Sequence, residues 1–126
     1  MKKILIIDDE REFAEGLVKT FLEQTGKYEV RVEGMGIHGV RAAKEFKPDL
    51  IFLDVMMRDC AGPKVAENLA AEPDLKKIPI VFLTATSSRS KDEKGVFDGH
   101  ISGRPFLSKP IQLERFLSSV EAALNN

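Results

Sequence analysis

Short apolar runs, each closed by polar residues and followed by a stretch with helical spacing, constrain this chain most. Ile4 to Ile7 is rich in β-branched residues and bounded by acids, and it reads as a buried strand. Leu50 to Leu53, followed by Asp54, and Ile78 to Leu83 repeat the pattern, and Phe106 and Leu107 mark a last short run. Tyr28 to Val32 differs, because apolar and charged residues alternate there as in a half-buried edge strand. Between these runs lie helical patterns. From about residue 10 to 25, Phe13, Leu17, Phe21 and Leu22 share a face, and Gly26 stops the helix. Residues from about 37 to 46 form a second helix that ends before Pro48. Lys64 to Ala71 is closed by Pro73, and from about 112 to 124 the residues Leu113, Phe116, Leu117, Val120 and Leu124 make one stripe.

Strands alternating with helices imply parallel βαβ units with right-handed crossovers. The first, third and fourth strands are apolar on both faces, as a sheet covered by helices on both sides requires. The second carries Glu29, Arg31 and Glu33 and belongs at an edge. The expected fold is α/β: a doubly wound, five-stranded parallel sheet of order 2-1-3-4-5, the flavodoxin-like arrangement. Its crevice lies at the carboxyl ends of strands one and three. The 126 residues show no linker and no internal repeat, so residues 1–126 are expected to be one domain.

The residues at those strand ends carry the chemistry. Asp8 and Asp9 end the first strand and Asp54 the third, so three carboxylates are expected in one small volume. Bare, they repel one another and raise each other's pKa. A hard divalent cation resolves the conflict, and oxygen ligands with retained waters suit magnesium. Thr84 ends the fourth strand with a hydroxyl, and Lys109 follows the fifth with an ammonium. A metal and a lysine for charge, a hydroxyl for an oxygen and a carboxylate to accept it are the parts for holding a phosphoryl group.

Lys and Arg total 19 against 20 Asp and Glu, a net charge of −1, which lacks the basic excess of a nucleic-acid binder. One cysteine excludes an intrachain disulfide and a four-cysteine zinc site. No apolar run reaches the ~18 residues of a membrane span, and the N-terminal apolar run is too short for a signal peptide. The expected location is the cytoplasm.

Taken together, Ile4-Leu-Ile-Ile-Asp8-Asp9-Glu10, Pro48-Asp-Leu-Ile-Phe-Leu-Asp54-Val-Met56-Met with Gly62 beyond, Leu83-Thr84-Ala85 and Phe106-Leu-Ser-Lys109-Pro110 resemble a response-regulator receiver domain. The likeness is to the single-domain kind typified by the chemotaxis regulator, and it covers essentially the whole chain. The resemblance implies a phosphorylation-activated switch of a two-component system. In it Asp54 accepts phosphate from a histidine kinase or phosphotransfer protein, and an unknown downstream protein reads the result. It implies magnesium held by Asp54, by Asp8 or Asp9 (with Asp9 favoured as the direct ligand) and by the backbone carbonyl of Met56. Thr84 and Lys109 would bind phosphoryl oxygens, Phe106 would be a switch aromatic moving with Thr84, and a cis Lys109–Pro110 bond would aim the ammonium at Asp54. Ala85, being small, would leave the crevice open to donor and water. Neither nucleic acid nor membrane is an expected partner, and output through protein contact is expected because nothing follows the last helix.

Departures from the family pattern are visible. Arg58 stands where the family usually has proline. The segment between Thr84 and Lys109 is longer than usual and carries Gly95, Gly99 and Gly103 where a fourth helix is expected. The stretch from about 87 to 104 is therefore expected to be the most mobile, with at most a short helix. Gly34-Met-Gly36-Ile-His-Gly39 is a literal G-x-G-x-x-G, but the charged edge strand before it argues for turn glycines. His38, His100 and Cys60 form no metal spacing, and Glu10, Arg11 and the run from Arg89 to Lys94 read as solvated charges. Two other functions fit less well: a haloacid-dehalogenase-like phosphatase with Asp8 as nucleophile, which leaves Asp54 without a role, and an interaction module independent of phosphorylation.

Overall fold

The computed structural model describes residues 1–85 and 96–125. Each apolar run becomes a strand: β1, Lys2–Ile7; β2, Tyr28–Glu33; β3, Leu50–Asp54; and β4, Ile80–Thr84. Two more come after these, β5 at Gly99–Ile101 and β6 at Arg104–Ser108. The first helix, α1, opens as a π-helix over Glu12–Lys19 and continues as an α-helix over Thr20–Gln24. A 3-10 turn, Gly36–His38, leads into α2, Gly39–Phe46. Helix α3 spans Gly62–Ala70 and α4 spans Leu113–Leu124.

The sheet order is β2-β1-β3-β4-β6-β5. Pairing is parallel from β2 through β6, so the expected 2-1-3-4-5 order stands with β6 as its fifth strand. Alternation along the strands builds a core on each face. Ile4, Ile6, Leu50, Phe52, Val81, Leu83 and Leu107 pack with Ala14, Val18 and Leu22 of α1 and Phe116 and Val120 of α4. There the Phe52 and Phe116 rings lie 4.4 Å apart. Leu5, Ile7, Ile51, Leu53, Phe82 and Phe106 face Ala42 and Ala43 of α2 and Val65 and Leu69 of α3. Both faces of β1 and β3 are thus fully covered, which is why those strands read as unbroken apolar runs. Among the described residues, no helix is long and apolar enough to cross a membrane.

The five-stranded expectation needs one correction. Strand β5 pairs antiparallel with β6 and adds a sixth strand at the edge, in the region where a mobile stretch or short helix was expected. Residues 86–95, which include Ser87, the run from Arg89 to Lys94 and Gly95, lie outside the described residues. The chain beyond residue 95 is pinned. Asp98 is buried, its N–H donates to the Phe106 carbonyl at 2.9 Å, and its carboxylate accepts from the Ser108 N–H at 2.8 Å and from Arg115 at 2.7 Å. The glycines that discourage a helix here build the hairpin. Ser102 and Gly103 have φ of 51° and 79°, the positive values a two-residue hairpin turn needs. Gly99, at φ 153°, lies over the Phe106 ring, where an added Cβ would come within 2.7 Å.

Candidate functional site

Strand β1 ends by turning on Asp8. This side chain is fully buried, and its Oδ1 accepts the Glu10 N–H at 2.8 Å, which starts α1 and brings residue 10 back over residue 8. Asp54, the last residue of β3, is 5% exposed, and its Oδ1 accepts the Met56 N–H at 3.3 Å. The loop beyond it is held closely. Met56 bridges Ala61, and the Gly62 N–H donates to the Val55 carbonyl at 2.7 Å. Only glycine allows this approach, because a Cβ on residue 62 would lie 2.3 Å from the Asp54 carbonyl oxygen. Thr84, buried at the end of β4, accepts the Lys109 N–H on its own carbonyl at 2.7 Å. The Lys109–Pro110 bond is cis.

The Lys109 side chain crosses to the acids. Its Nζ lies 2.8 Å from Asp8 Oδ2, 2.9 Å from Glu10 Oε1 and 3.9 Å from Asp54 Oδ2, with the Phe13 ring 4.7 Å away. Burial alone would lower the pKa of this ammonium. The hydrogen bonds to Asp8 and Glu10 and the attraction of Asp8 and Asp54 outweigh it, so the pKa of Lys109 lies above the ordinary lysine value. The Asp54 pKa is raised as well, and for a carboxyl that disfavours the charged form. Burial and then the Asp8 charge push it up to about 6, against the weaker pull of Lys109 and the Met56 N–H. Among the described residues, the Lys109 ammonium is shared by Asp8, Glu10 and Asp54.

Oxygen atoms of Asp8, Glu10 and Asp54 all lie within 4.8 Å of one another. This bears on two sequence expectations. Glu10, read as a solvated charge, keeps a side chain 58% exposed, yet the turn on Asp8 brings its carboxylate to the cluster. Asp9, expected there, points elsewhere: its Oδ2 accepts the Arg58 N–H at 2.9 Å. The sequence carried a signal for Glu10, the third consecutive acid after a buried strand and two residues from Asp8, a spacing that shares one face of an extended chain. Phe13 was read only as a helix-face residue. Phe106 is buried beneath Gly99 in the α2–α3 core, Ala85 is exposed just past Thr84, and Met56 exposes 78% of its surface beside Asp54. The G-x-G-x-x-G glycines open α2. The Gly36 and Ile37 N–H groups donate to the Asp59 carboxylate, which they hold below its ordinary pKa.

Comparison with known proteins agrees with this arrangement. Residues 4–121 match the family described as the response regulator receiver domain. The polar-differentiation response regulator DivK of Brucella anthropi is 27% identical over 125 residues, spanning 99% of this chain and 98% of its own. The structure of the chemotaxis protein CheY4 of Vibrio cholerae superposes with a TM-score of 0.80 at 27% identity, covering 98% of this chain and 99% of that one. A likeness of fold alone, at 21% identity and a TM-score of 0.78, is found with the receiver domain of the sensor histidine kinase PA1611 from Pseudomonas aeruginosa PAO1. It covers 99% of this chain and 98% of that one, and its cleft coordinates a magnesium ion. With acids, lysine and threonine gathered at one end of a 2-1-3-4-ordered sheet and the family matched over nearly its whole length, this chain belongs to the response regulator receiver domains, the phosphorylation-activated switches of two-component signalling.

Proposed function

We propose that Asp54 is the phosphoryl acceptor and that the acceptance depends on magnesium. The observation that carries the reading is Lys109 Nζ, which lies 2.8 Å from Asp8 and 3.9 Å from Asp54 and so joins the ends of separate strands at one acidic cluster. The residues fit a hard divalent cation. Three carboxylates offer oxygens within 4.8 Å of one another, and burial with the Asp8 charge disfavours ionised Asp54, a cost that a nearby cation would offset. Asp8, Asp54 and the Met56 carbonyl would hold the ion with Asp9 or Glu10, and when bound it would supply charge to the phosphoryl oxygens.

An Asp54 carboxylate oxygen attacks the phosphorus of a phosphohistidine on a histidine kinase or phosphotransfer protein. A P–O bond forms as the P–N bond breaks, and the imidazole leaves with the electron pair and takes a proton from water. Lys109 moves from Asp8 and Glu10 toward a phosphoryl oxygen, and the Thr84 hydroxyl donates to another. Phe106 follows Thr84, and exposed Ala85 leaves the entry open. The chain catalyses its own phosphorylation and dephosphorylation and no other reaction. It works in the cytoplasm, where its cysteine stays a thiol, and passes the signal by protein contact. Treatment with magnesium and acetyl phosphate, followed by intact-protein mass spectrometry, tests this. One phosphate on the wild type and none on Asp54→Asn is expected; many turnovers of free phosphate without an adduct would instead indicate a phosphatase.

A further inference from the structure

The loop after β3 holds a contact that the phosphorylation chemistry does not use. The Arg58 N–H donates to Asp9 Oδ2 at 2.9 Å. Both residues line an open crevice of about 530 Å³, shared with Arg11, Glu33 and Asp59. Asp9 is therefore adjacent in sequence to the acidic cluster, near enough for its charge to be felt at Asp54, and yet held on the loop outside the set of mutually close oxygens. We propose that the Arg58 backbone N–H is a latch on Asp9, which holds this carboxylate outside the acidic crevice until a divalent cation enters, and so sets how much magnesium the switch needs. The inference rests on the magnesium-dependent reading above.

Two forces place the latch. Asp8, Glu10 and Asp54 already face one another and, among the described residues, share one ammonium, so a further carboxylate meets repulsion inside the crevice. Outside it, a preformed N–H donor is waiting, and hydrogen bonds to an ionised acceptor are the stronger kind. A divalent cation reverses the balance, because every carboxylate drawn in then gains attraction.

The donor cannot follow. The loop is tied on one side by the Met56 N–H on Asp54 and by the Met56–Ala61 bridge. On the other it is tied by the Asp59 carboxylate, which accepts the N–H groups of Gly36 and Ile37 at 3.1 and 2.9 Å. When Asp9 swings toward an ion, its bond to Arg58 breaks and the N–H turns to water. Arg58 thus acts through Asp9 as a positioning residue, and it does so with its backbone, not its guanidinium.

Proline is the one residue without that N–H, so Arg58→Pro and Arg58→Ala separate amide from side chain. Magnesium binding to the full chain is measured by isothermal titration. Arg58→Pro is expected to bind about fivefold more tightly, which at 1.4 kcal/mol per decade is about 1 kcal/mol. Arg58→Ala is expected to stay within about twofold of wild type, because its N–H remains and its lost charge is exposed and screened. Amide exchange in the wild type gives a measurement that needs no variant: the Arg58 N–H should exchange slowly without magnesium and faster at saturation. Equal tightening in both variants would assign the effect to the guanidinium and overturn the latch. So would a folded Arg58→Pro with unchanged or weaker binding, or an Arg58 amide indifferent to magnesium. If the wild type binds no magnesium and takes up no phosphate, the functional reading itself falls. If it does both while Arg58→Pro matches it, only the latch falls.

Discussion

Replacing the acceptor should stabilise the metal-free protein, and the gain should depend on pH. Asp54 sits 5% exposed beside Asp8, with its pKa raised from 3.8 to about 6. A carboxyl whose pKa is higher folded than unfolded binds its proton more tightly in the folded state. Folding stability therefore falls as pH rises from about 4 through about 6, and the whole penalty is in place at neutral pH. A shift of about 2 units corresponds to about 3 kcal/mol at 1.36 kcal/mol per unit. Lys109 can close its 3.9 Å gap to Asp54 and water can enter, so roughly 1–3 kcal/mol is the expected range. Asparagine has nearly the same shape, can still accept the Met56 N–H, and carries no charge at any pH. In chelator at pH 7.5, Asp54→Asn should gain that amount in urea unfolding followed by circular dichroism. A melting temperature higher by roughly 4–8 °C per kcal/mol at most should accompany it. Near pH 4 the wild-type carboxyl is mostly protonated and the two curves should nearly coincide. A variant that is no more stable at pH 7.5, or one whose advantage does not shrink on acidification, would show that Asp54 is not a strained charge. That burial and the Asp8 charge disfavour its ionised form would then be wrong.

Lys109→Ala removes the ammonium from Asp8, Glu10 and Asp54. Breaking a buried ion pair costs on the order of 3–5 kcal/mol, and here magnesium should recover part of the loss, seen as a larger metal-induced rise in melting temperature than in the wild type. Gly62→Ala sets a Cβ 2.3 Å from the Asp54 carbonyl and 2.8 Å from Val55 Cα. Backbone must move, so about 1–3 kcal/mol should be lost, and phosphorylation by acetyl phosphate should slow because the loop beside Asp54 is displaced. Ala would be tolerated in both respects if the loop were free to shift.

Much of this molecule could be read in its sequence because burial on two faces leaves an unmistakable mark. Ile4 to Ile7 and Leu50 to Leu53 read as central strands because they are short, rich in branched residues and closed by acids, and both are fully buried. Asp8, Asp54, Thr84 and Lys109 could be placed together because strand ends converge at a fixed rim once the order is known. Boundaries moved by a residue or two where helix ends are set by local bonds that no pattern announces, as at Gly62, whose N–H is tied to Val55.

The features that escaped the sequence reading have a common cause: contacts made by backbone, or by a turn that reverses side-chain direction. The family resemblance favoured Asp9 as the direct ligand, yet the Glu10 N–H on Asp8 bends the chain and brings Glu10 to the cluster, while Asp9 accepts the Arg58 N–H. The alternative partner of Asp9 is an amide, and an amide is invisible in a sequence except where proline removes it. Strand β5 was hidden by the same logic. Gly99 and Gly103 argued against a helix, and weighed as helix breakers they pointed to a loop. Weighed as turn residues, Ser102-Gly103 between Ile101 and Arg104 is a two-residue hairpin signal. Glycine reports only that a backbone does something a side chain would forbid. Which backbone it is depends on its neighbours, here on a Phe106 ring that needs a bare strand above it.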